Sequence, residues 1–440
     1  MRKSGITTIC TLLLSMNAMF AHAEKQWTLK DCIDYALEHN ISVKAGRLSV
    51  MSAGEDVKEA RARLFPSLSF STSHQGGYRP FADDGSYEDK GTYSGDYGLN
   101  ASWTVWDGNA NRNTLKRQRL QGKQEELSLE ESVNSIQEQI LQLYVQVLYV
   151  REAVKVNEEV LAISRQNAER GEEMYRVGSL SKADLSQLQA QVASDEYNLV
   201  DMKGRLEDYK QQMKYLLRLD YDSGFDLAVP SSTDAQALAA VPSVSDVLNG
   251  ALALRPEMRN AVLGVEGGNL DVEIAKAGRM PTVNLSGGIG TNTMSGTGMA
   301  WGNQMKGNLS GSLGVTVSVP IFDNRAAKTS VNKAKISLQQ AKDEVDDVKA
   351  QLALAIQGYW INATTNQQRF KSAGASVGSA QDSYELLSEQ FRLGLKNIVE
   401  LTTAKTTLLN AQQSRLESKY TAILYLKLLD FYKGEELNII

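Results

Sequence analysis

The residue types that most often carry out chemistry in proteins are sparse in this chain of 440 residues. Beyond the first 23 residues the only histidines are His39 and His74, and the only cysteine is Cys32. None of them lies in a cluster with the spacing of a metal site, and a single cysteine cannot form an intrachain disulfide. We therefore expect Cys32 to be a packed helical residue, and we predict neither a metal nor a cofactor.

Two further segments have the composition of a binding site. Gly287-Gly288-Ile289-Gly290 is rich in glycine, but no helix start with Lys and Ser or Thr follows, so it is not a phosphate loop. The acidic run Asp343–Asp347 is typical of a solvated helix face, with a patch facing an internal passage as the alternative. A net charge of −5 argues against a nucleic-acid partner. The sequence therefore predicts neither an enzyme nor a nucleic-acid-binding protein.

One short phrase occurs twice and organises the rest of the chain. Tyr175-Arg176-Val177-Gly178 and Phe391-Arg392-Leu393-Gly394 are 216 positions apart, and each has a long helical pattern on both sides. Glycine readily adopts the left-handed backbone conformation that ends a helix. Each copy is therefore predicted to be the tip of a helical hairpin, and the chain to be an internal two-fold repeat.

The repeat predicts the division of the chain. Residues 1–23 have the basic start, the apolar stretch and the small-residue cleavage site of a signal peptide. Residues 24–219 are the first repeat, 220–242 a linker and 243–433 the second repeat, which leaves 434–440 as a C-terminal tail. No stretch after residue 23 has 18 uninterrupted apolar residues, so no transmembrane helix is predicted.

Each repeat begins with a helical pattern that a proline ends. The first pattern covers 28–65 and the second covers 243–280, before Pro66 and Pro281. Thr28 and Ser243 are predicted N-caps, because each has an aspartate three residues later, as in a capping box.

After each proline, apolar residues recur at every second position, which indicates β-strands. The predicted strands are 67–75 and 96–106 in the first repeat, and 282–293 and 307–320 in the second. Alternation also fits a soluble sandwich, but two strands per repeat can neither bury a face nor close a sheet edge. Four strands are too few for a barrel, so the pattern favours several chains sharing one.

Aromatic residues gather at the strand ends. Phe65, Trp106 and Phe322 lie at one level, and Tyr78, Tyr87, Tyr93 and Trp301 lie at the other. Outer-membrane barrels carry such girdles of aromatic residues at both membrane interfaces. We predict a girdle that includes Trp103, Trp106, Phe322 and Tyr93.

Long helical hairpins are predicted for 108–219 and 323–433, with Asp107 and Asp323 as candidate caps. Proline-free stretches in each allow helices of about 100 Å. Apolar residues from Leu129 to Val154 alternate in steps of four and three, which is the 3.5-residue repeat of a left-handed supercoil. A second apolar stripe lets each helix pack on both sides and so close a ring. An ordinary antiparallel bundle fits the helices equally well but leaves the strands unexplained.

Taken together these features resemble the TolC-like outer-membrane efflux proteins, over essentially the whole predicted mature chain. The resemblance is carried by the two tip phrases and by the strand boundaries Phe65-Pro66-Ser67-Leu68, Trp106-Asp107, Met280-Pro281-Thr282-Val283 and Val319-Pro320-Ile321-Phe322. It implies an α+β membrane protein. Three chains would form a 12-stranded β-barrel in the outer membrane, four strands each, continued by a 12-helix periplasmic α-barrel of coiled-coil helices.

The resemblance also implies a function. The homotrimer would lie in outer-membrane lipid as the exit channel of a tripartite efflux or type I secretion system. It would receive substrates from an inner-membrane pump through a periplasmic adaptor protein. The adaptor would dock on the hairpin tips, here Arg176, Val177, Gly178, Arg392, Leu393 and Gly394. The alternative is a periplasmic or surface coiled-coil scaffold with no pore.

A periplasmic gate at the tips is implied by the same resemblance. Phe391 and Lys396 match an aromatic and a basic position of the family, and Asp184 matches the acidic partner on the first hairpin. Glu400 and Thr403 stand where a family member has two aspartates, so one carboxylate ring facing the axis is expected. An Asp184–Lys396 contact between neighbouring hairpins is expected to hold the tips inward.

Overall fold

A computed structural model describes residues 26–78, 91–230 and 233–437 of the chain. Three predicted segments lie outside these ranges: the signal peptide, most of the loop between the first two strands, which contains Tyr87, and the last residues of the tail. The first repeat contains a short strand, two helices, two long strands and a long helical hairpin: β1 (Gln26–Trp27), α1 (Leu29–His39), α2 (Ile41–Ala62), β2 (Ser67–Tyr78), β3 (Gly91–Trp106), α3 (Ala110–Arg176) and α4 (Lys182–Leu217).

The second repeat follows a linker with a short strand and a short helix, and it has the same order of long elements, with the short helix α8 between its two strands. The linker contains β4 (Asp226–Leu227) and α5 (Thr233–Ala237). The second repeat consists of α6 (Val244–Leu254), α7 (Pro256–Ala277), β5 (Thr282–Met294), α8 (Trp301–Gly307), β6 (Ser310–Ser318), α9 (Ala326–Arg392) and α10 (Ile398–Lys433).

The helical segment that opens each repeat is divided in two. The prediction of one helix over 28–65 was wrong, because Asn40 leaves the helical conformation (φ −64°, ψ 135°) and its side chain accepts a hydrogen bond from the Ser42 amide at 2.8 Å. Arg255 has the same extended conformation before Pro256, since proline disfavours the helical conformation of the preceding residue. The predicted N-caps Thr28 and Ser243 are confirmed, each accepting a hydrogen bond from the aspartate amide three residues on.

Two aspartates stabilise the starts of the long helices from outside the N-cap position. Asp107 accepts a hydrogen bond from the Asn111 amide at 2.8 Å, and Asp323 accepts one from the Ala327 amide at 2.7 Å. The N-cap residue of α3 is Asn109, and that of α9 is Arg325; both have the left-handed conformation. The left-handed residue turns the chain sharply before each helix, so the carboxylates of Asp107 and Asp323 reach free amides of the first helical turn.

The four long strands form one antiparallel sheet in the order β2-β3-β5-β6. β2 and β3 are longer than predicted, because their pairing continues to Tyr78 and Gly91. β6 is shorter than the predicted 307–320: it ends before Pro320, which has no amide hydrogen to donate, and it begins only after α8. β2 and β6 are therefore the two open edges of the sheet.

The long helices continue away from the sheet as two hairpins of matching size. α3 and α9 have 67 residues each, α4 and α10 have 36 each, and the longer pair extends about 100 Å. Near the sheet the contacts run in the order α2, α3, α7, α9; toward the tips they run α4, α3, α10, α9. No helix within the described ranges is long and apolar enough to cross a membrane.

The largest apolar core lies at mid-length, where the linker crosses the hairpins. α1 buries Cys32 completely against α3, which confirms the prediction of a packed helical residue. Tyr144 of α3 donates a hydrogen bond to the carbonyl of Ala228 at 2.7 Å, and Arg151 donates one to the carbonyl of Leu227 at 2.7 Å. On the other hairpin, Arg415 pairs with Asp234 at 2.6 Å. The linker thus ties both hairpins together at this level.

Candidate functional site

One face of the sheet is apolar and exposed. Leu99 pairs with Phe70 on one side and Ile289 on the other, and Leu285 pairs with Trp103 and Val315. Successive side chains of a strand alternate between faces, so these residues share one surface. Most of these side chains are exposed in the single chain. A contiguous apolar surface of this kind requires an apolar environment, either lipid or protein.

The opposite face carries small hydroxyl and amide side chains. Ser67 and Ser102 are hydrogen-bonded through their hydroxyls at 2.8 Å, and Thr104 donates to the Asn284 amide oxygen at 2.9 Å. Asp96, which accepts a hydrogen bond from Ser73 at 3.2 Å, is the one charged residue on this face of the four described strands. The surface is therefore hydrated and almost neutral.

The predicted girdle residues lie at both ends of the sheet. Trp103 is half-buried and donates its indole N–H to the Leu64 carbonyl at 3.0 Å, while Trp106 and Phe322 are exposed beside the helical end. At the far end the Tyr93 hydroxyl lies 2.7 Å from Nδ1 of His74. Both ends of the apolar face thus carry an aromatic residue with a polar group, the amphipathic kind found at membrane interfaces. Their membrane role stays a prediction.

The two hairpin tips have the same backbone geometry, as their sequences predict. Gly178 has φ 76° and Gly394 has φ 71°, both in the left-handed region. The residue after each glycine donates its amide hydrogen to the carbonyl five residues earlier. Ser179 donates to Met174 at 2.8 Å, and Leu395 donates to Gln390 at 2.9 Å. This is the Schellman arrangement that satisfies the last carbonyls of a helix. At each tip an apolar side chain, Val177 or Leu393, is exposed.

The charged residues predicted for a gate bind local partners. Asp184 accepts a hydrogen bond from the hydroxyl of Ser181 at 2.6 Å at the start of α4. The Lys396 ammonium lies 2.6 Å from a carboxylate oxygen of Glu400. In the described part of the chain no ion pair joins Asp184 to Lys396, so the expected contact is not made within one protomer. Both acidic residues lie in the first turn of a helix, where Ser181 at the N-cap of α4 and Lys396 just before the N-cap of α10 are already within reach.

The remaining predicted gate residues occupy different environments. Phe391 is 5% exposed and packs with Tyr384, Ile398 and Leu401 inside the hairpin, rather than at its surface. Thr403 donates its hydroxyl to the Val399 carbonyl at 2.8 Å. A groove between α9 and α10 is lined by Ser383, Leu387, Val399, Glu400, Thr403 and Thr407. The structure therefore places Glu400 and Thr403 together and turns Phe391 away from them.

A buried ion pair that the sequence reasoning missed joins the two hairpins. Lys405 of α10 and Asp195 of α4 have side chains only 5% and 3% exposed, and they form an ion pair. Lys405 also donates to the Ser164 hydroxyl of α3 at 2.6 Å, and Gln191 donates to Asp195 at 3.0 Å. Burial lowers the pKa of Lys405, and the adjacent carboxylate partly opposes this shift. In the sequence, the one sign of this buried ion pair was a lysine, Lys405, within the apolar stripe of α10.

A second polar contact joins the hairpins nearer the linker. Lys419 of α10 lies 2.9 Å from Glu152 of α3, and the Tyr420 hydroxyl donates to the same carboxylate at 2.7 Å. None of these groups resembles a metal centre: the described residues contain no cluster of three or more His, Cys, Asp or Glu side chains suited to a metal ion. The Lys405–Asp195 and Lys419–Glu152 pairs each connect α10 to a helix of the first hairpin.

Comparison with known proteins agrees with this geometry. A family model described as outer membrane efflux protein matches residues 32–217 and 247–426. BepC, an outer membrane efflux protein of Brucella suis biovar 1, is 22% identical over 417 residues, which cover 94% of this chain and 86% of that protein. The outer membrane protein TolC of Escherichia coli K12 is 22% identical over 394 residues, covering 85% of this chain and 75% of that protein.

A solved structure shows the same fold. The crystal structure of the outer membrane protein VceC from Vibrio cholerae superposes with a TM-score of 0.77 at 19% sequence identity, covering 93% of this chain and 97% of that one. The family model covers most of the chain in two successive segments, one in each predicted repeat. The chain therefore belongs to the outer membrane efflux protein family, a family of transport channels in the outer membrane of Gram-negative bacteria.

Proposed function

We propose that this efflux channel is a homotrimer with a 12-stranded β-barrel and a 12-helix periplasmic tube. The observation that carries the proposal is that the sheet and the long helices of the described residues each have two edges that no other element of the same chain covers. In the sheet the edges are β2 and β6, whose outer backbone groups pair with no other strand in the described part of the chain. An exposed edge of this length is normally covered or paired in native proteins.

The helical layer has matching edges. On α4, Tyr197, Val200 and Tyr215 are exposed, and on α9 Leu354 and Ile361 are exposed. Because α4 and α9 lie at opposite ends of the helix order, an apolar edge of one copy can pack against the different apolar edge of the next. Such a head-to-tail contact is heterologous, and it ends in a closed ring when the rotation per copy divides the circle. Three copies give 12 strands and 12 helices.

The two faces of the sheet fit a barrel that spans lipid. The apolar face would contact lipid, and the face of serine, asparagine and glycine would line a water-filled passage. A nearly neutral lining of small side chains makes few specific contacts, so it would let chemically varied polar cargo pass. Asp96 would then contribute one carboxylate per copy near the outer end of the passage.

The tips are the proposed contact with partner proteins. Exposed apolar side chains at rigid turns, such as Val177 and Leu393, fit docking of a periplasmic adaptor that connects the channel to an inner-membrane pump. A coiled-coil scaffold without a pore does not account for a sheet with one exposed apolar face and one polar face. The channel interpretation explains both faces and both edges.

Cysteine cross-linking tests the proposed trimer. Tyr215 and Ile361 lie at similar distances from the tips on the two edges, so Tyr215→Cys with Ile361→Cys in a Cys32→Ser background should be joined by a bismaleimide. We expect dimer and trimer bands in outer-membrane fractions and no larger product. The two single-cysteine variants are the matched controls and should give monomer only. Monomer alone from the double variant, with linkers of several lengths, would contradict the proposed seam.

A further inference from the structure

The start of α3 carries a concentration of positive charge. Residues 110–124, the first 15 of the helix, include five lysine or arginine residues and no aspartate or glutamate, although the net charge of the chain is −5. Four of the five side chains are exposed, and they recur every three or four residues: Arg112, Lys116, Arg119 and Lys123. Side chains with this spacing lie on one face of a helix. These four residues are here called the basic stripe.

The basic stripe has no ion-pair or side-chain hydrogen-bond partner in the part of the chain that the structure describes. The fifth basic residue, Arg117, is turned sideways toward α7 and pairs with Asp271 at 3.2 Å. Like charges one helical turn apart repel one another and lower the stability of the helix. The stripe is therefore a surface that an external anion would stabilise.

The second repeat carries charge of the same sign at the start of its own long helix. Residues 326–340, the first 15 of α9, contain three lysines and no aspartate or glutamate. All three lysines are exposed. They follow Arg112, Arg117 and Arg119 at the 216-residue spacing of the two tips: Lys328, Lys333 and Lys335. Both long helices therefore begin with positive charge just below the sheet.

The basic stripe lies on the outer side of the helical layer. Continued toward the tips, the same face of α3 carries Glu126 and Glu130, which line cavities together with Leu252 of α6 and Lys30 of α1. Neither α1 nor α6 belongs to the row α2, α3, α7, α9. In the proposed ring they lie outside the row, because helices on the inner side would fill the passage. Since α3 is an inner member of the row, neighbouring copies leave its outer face free.

The stripe begins where the sheet ends. Phe65 and Trp106 are exposed at this end of the sheet, and α3 begins at Ala110. At a rise of 1.5 Å per residue, Arg112 and Lys116 lie about 3 and 9 Å below the start of the helix. The polar headgroup layer of a bilayer is roughly 5–8 Å thick on each side. In the proposed channel both side chains are therefore at the depth of the headgroups that face the periplasm.

We propose that the basic stripe binds the phosphate groups of anionic phospholipids in the inner leaflet of the outer membrane. This proposal rests on the proposed function, because it requires the sheet to span that membrane. Guanidinium and ammonium groups donate charge-assisted hydrogen bonds to phosphate oxygens, and clusters of them beside a membrane favour acidic over zwitterionic lipids. Arg112 and Lys116 contact the headgroups directly, and Arg119 and Lys123 extend the positive field below them.

Lipid-dependent quenching of tryptophan fluorescence tests this preference in the full-length protein. The protein is reconstituted in phosphatidylcholine vesicles with increasing fractions of dibrominated phosphatidylglycerol, and the reverse pair of lipids is measured in parallel. Trp103 and Trp106 lie at the end of the sheet beside the stripe, so they report the lipid bound there. We expect phosphatidylglycerol to bind about fivefold more tightly than phosphatidylcholine, which is the effect of one basic residue near a membrane surface. The preference should decrease at high salt.

Arg112→Gln with Lys116→Gln should abolish most of this preference. Lys155→Gln with Arg170→Gln is the matched control, because it removes one lysine and one arginine from exposed positions of the same helix about 70–90 Å below its start. The control should behave like the wild type. A wild type without the preference, or a double variant that keeps it, would overturn the proposal.

The reversal potential of the channel in a salt gradient tests the alternative position of the stripe. If Arg112→Gln with Lys116→Gln changes the selectivity between anions and cations while the lipid preference stays, the stripe lines the passage and the proposal is wrong. A wild-type protein that does not insert into vesicles at all would instead contradict the proposed function.

Discussion

Lys396 and Glu400 form an ion pair across one turn at the start of α10, with the ammonium 2.6 Å from the carboxylate. Both side chains are 39% exposed, so the pair contributes only about 0.2–1 kcal/mol. The pair nevertheless decides how much negative charge Glu400 presents, because a neighbouring ammonium neutralises it at short range. In three copies the expected carboxylate ring would therefore be partly neutralised by Lys396 of each chain.

A trivalent cation added from the periplasmic side tests this charge. Lys396→Ala frees the Glu400 carboxylate, so block of the channel current should occur at a lower cation concentration. Glu400→Ala should weaken the block, since it removes the attracting carboxylate. Thr403→Ala is the control, because its hydroxyl donates to the Val399 carbonyl and carries no charge. Strong block unaffected by Glu400→Ala would place the cation site elsewhere, with the acidic run Asp343–Asp347 as the next candidate.

Charges on the two helical edges predict a contact between copies. Lys44 of α2 and Glu344 of α9 lie 18 residues from the ends of their helices beside the sheet, which places both about 27 Å below it. Lys44→Glu should therefore weaken the trimer, and Glu344→Lys in the same chain should restore it. The measurement is the temperature at which the unheated trimer band disappears in SDS gels. Lys155→Glu, the same charge reversal on the non-edge helix α3, should leave that temperature unchanged; failure of the second substitution to rescue would contradict the contact.

Substitutions at the hairpin tips should prevent docking of the adaptor without preventing assembly of the trimer. Gly178→Pro or Gly394→Pro should abolish export while trimer yield stays normal, because proline cannot adopt the positive φ of these turns. Export is measured in cells and trimer yield in membrane fractions. Gly204→Ala, in open space on α4, is the control and should export normally. Normal export by both proline variants would contradict the assignment of the tips.

Burial of Tyr144 predicts that the mid-length core loses stability at alkaline pH. Its side chain is 1% exposed, and burial raises the pKa of Tyr144 to about 12 from an ordinary value of 10.0. The unfolded state thus loses its proton first, so the contribution of this group to stability is complete below pH 10 and falls by about 2 kcal/mol as the pH rises to 12. Tyr144→Phe loses the hydrogen bond to Ala228 but should show a shallower decline of denaturation midpoint between pH 10 and 12. Parallel declines in the two proteins would refute this origin.

The sequence by itself determined the local architecture. Proline at 66 and 281 ended helices, period-two alternation marked the strands, and glycine at 178 and 394 marked the tips, because these signals act through neighbouring residues only. The capping pairs at Thr28 and Ser243 were readable for the same reason. The strand ends were predicted less accurately, since pairing with another strand shifts them. The helix breaks at Asn40 and Arg255 were not predicted, and they depend on one side-chain hydrogen bond and on the following proline, respectively.

Only the tertiary structure decided which distant side chains meet. Lys405, Asp195 and Ser164 lie on three helices, and no periodicity of one helix shows that their polar ends converge in a buried layer. The expected Asp184–Lys396 contact was replaced within the chain by Lys396–Glu400, because a partner one turn away needs no ordering of a second hairpin. Phe391 was placed inside its hairpin by the supercoil of α9 and α10, which sets the face each residue turns inward. Such contacts depend on the relative rotation and register of whole helices, which are properties of the packed chain.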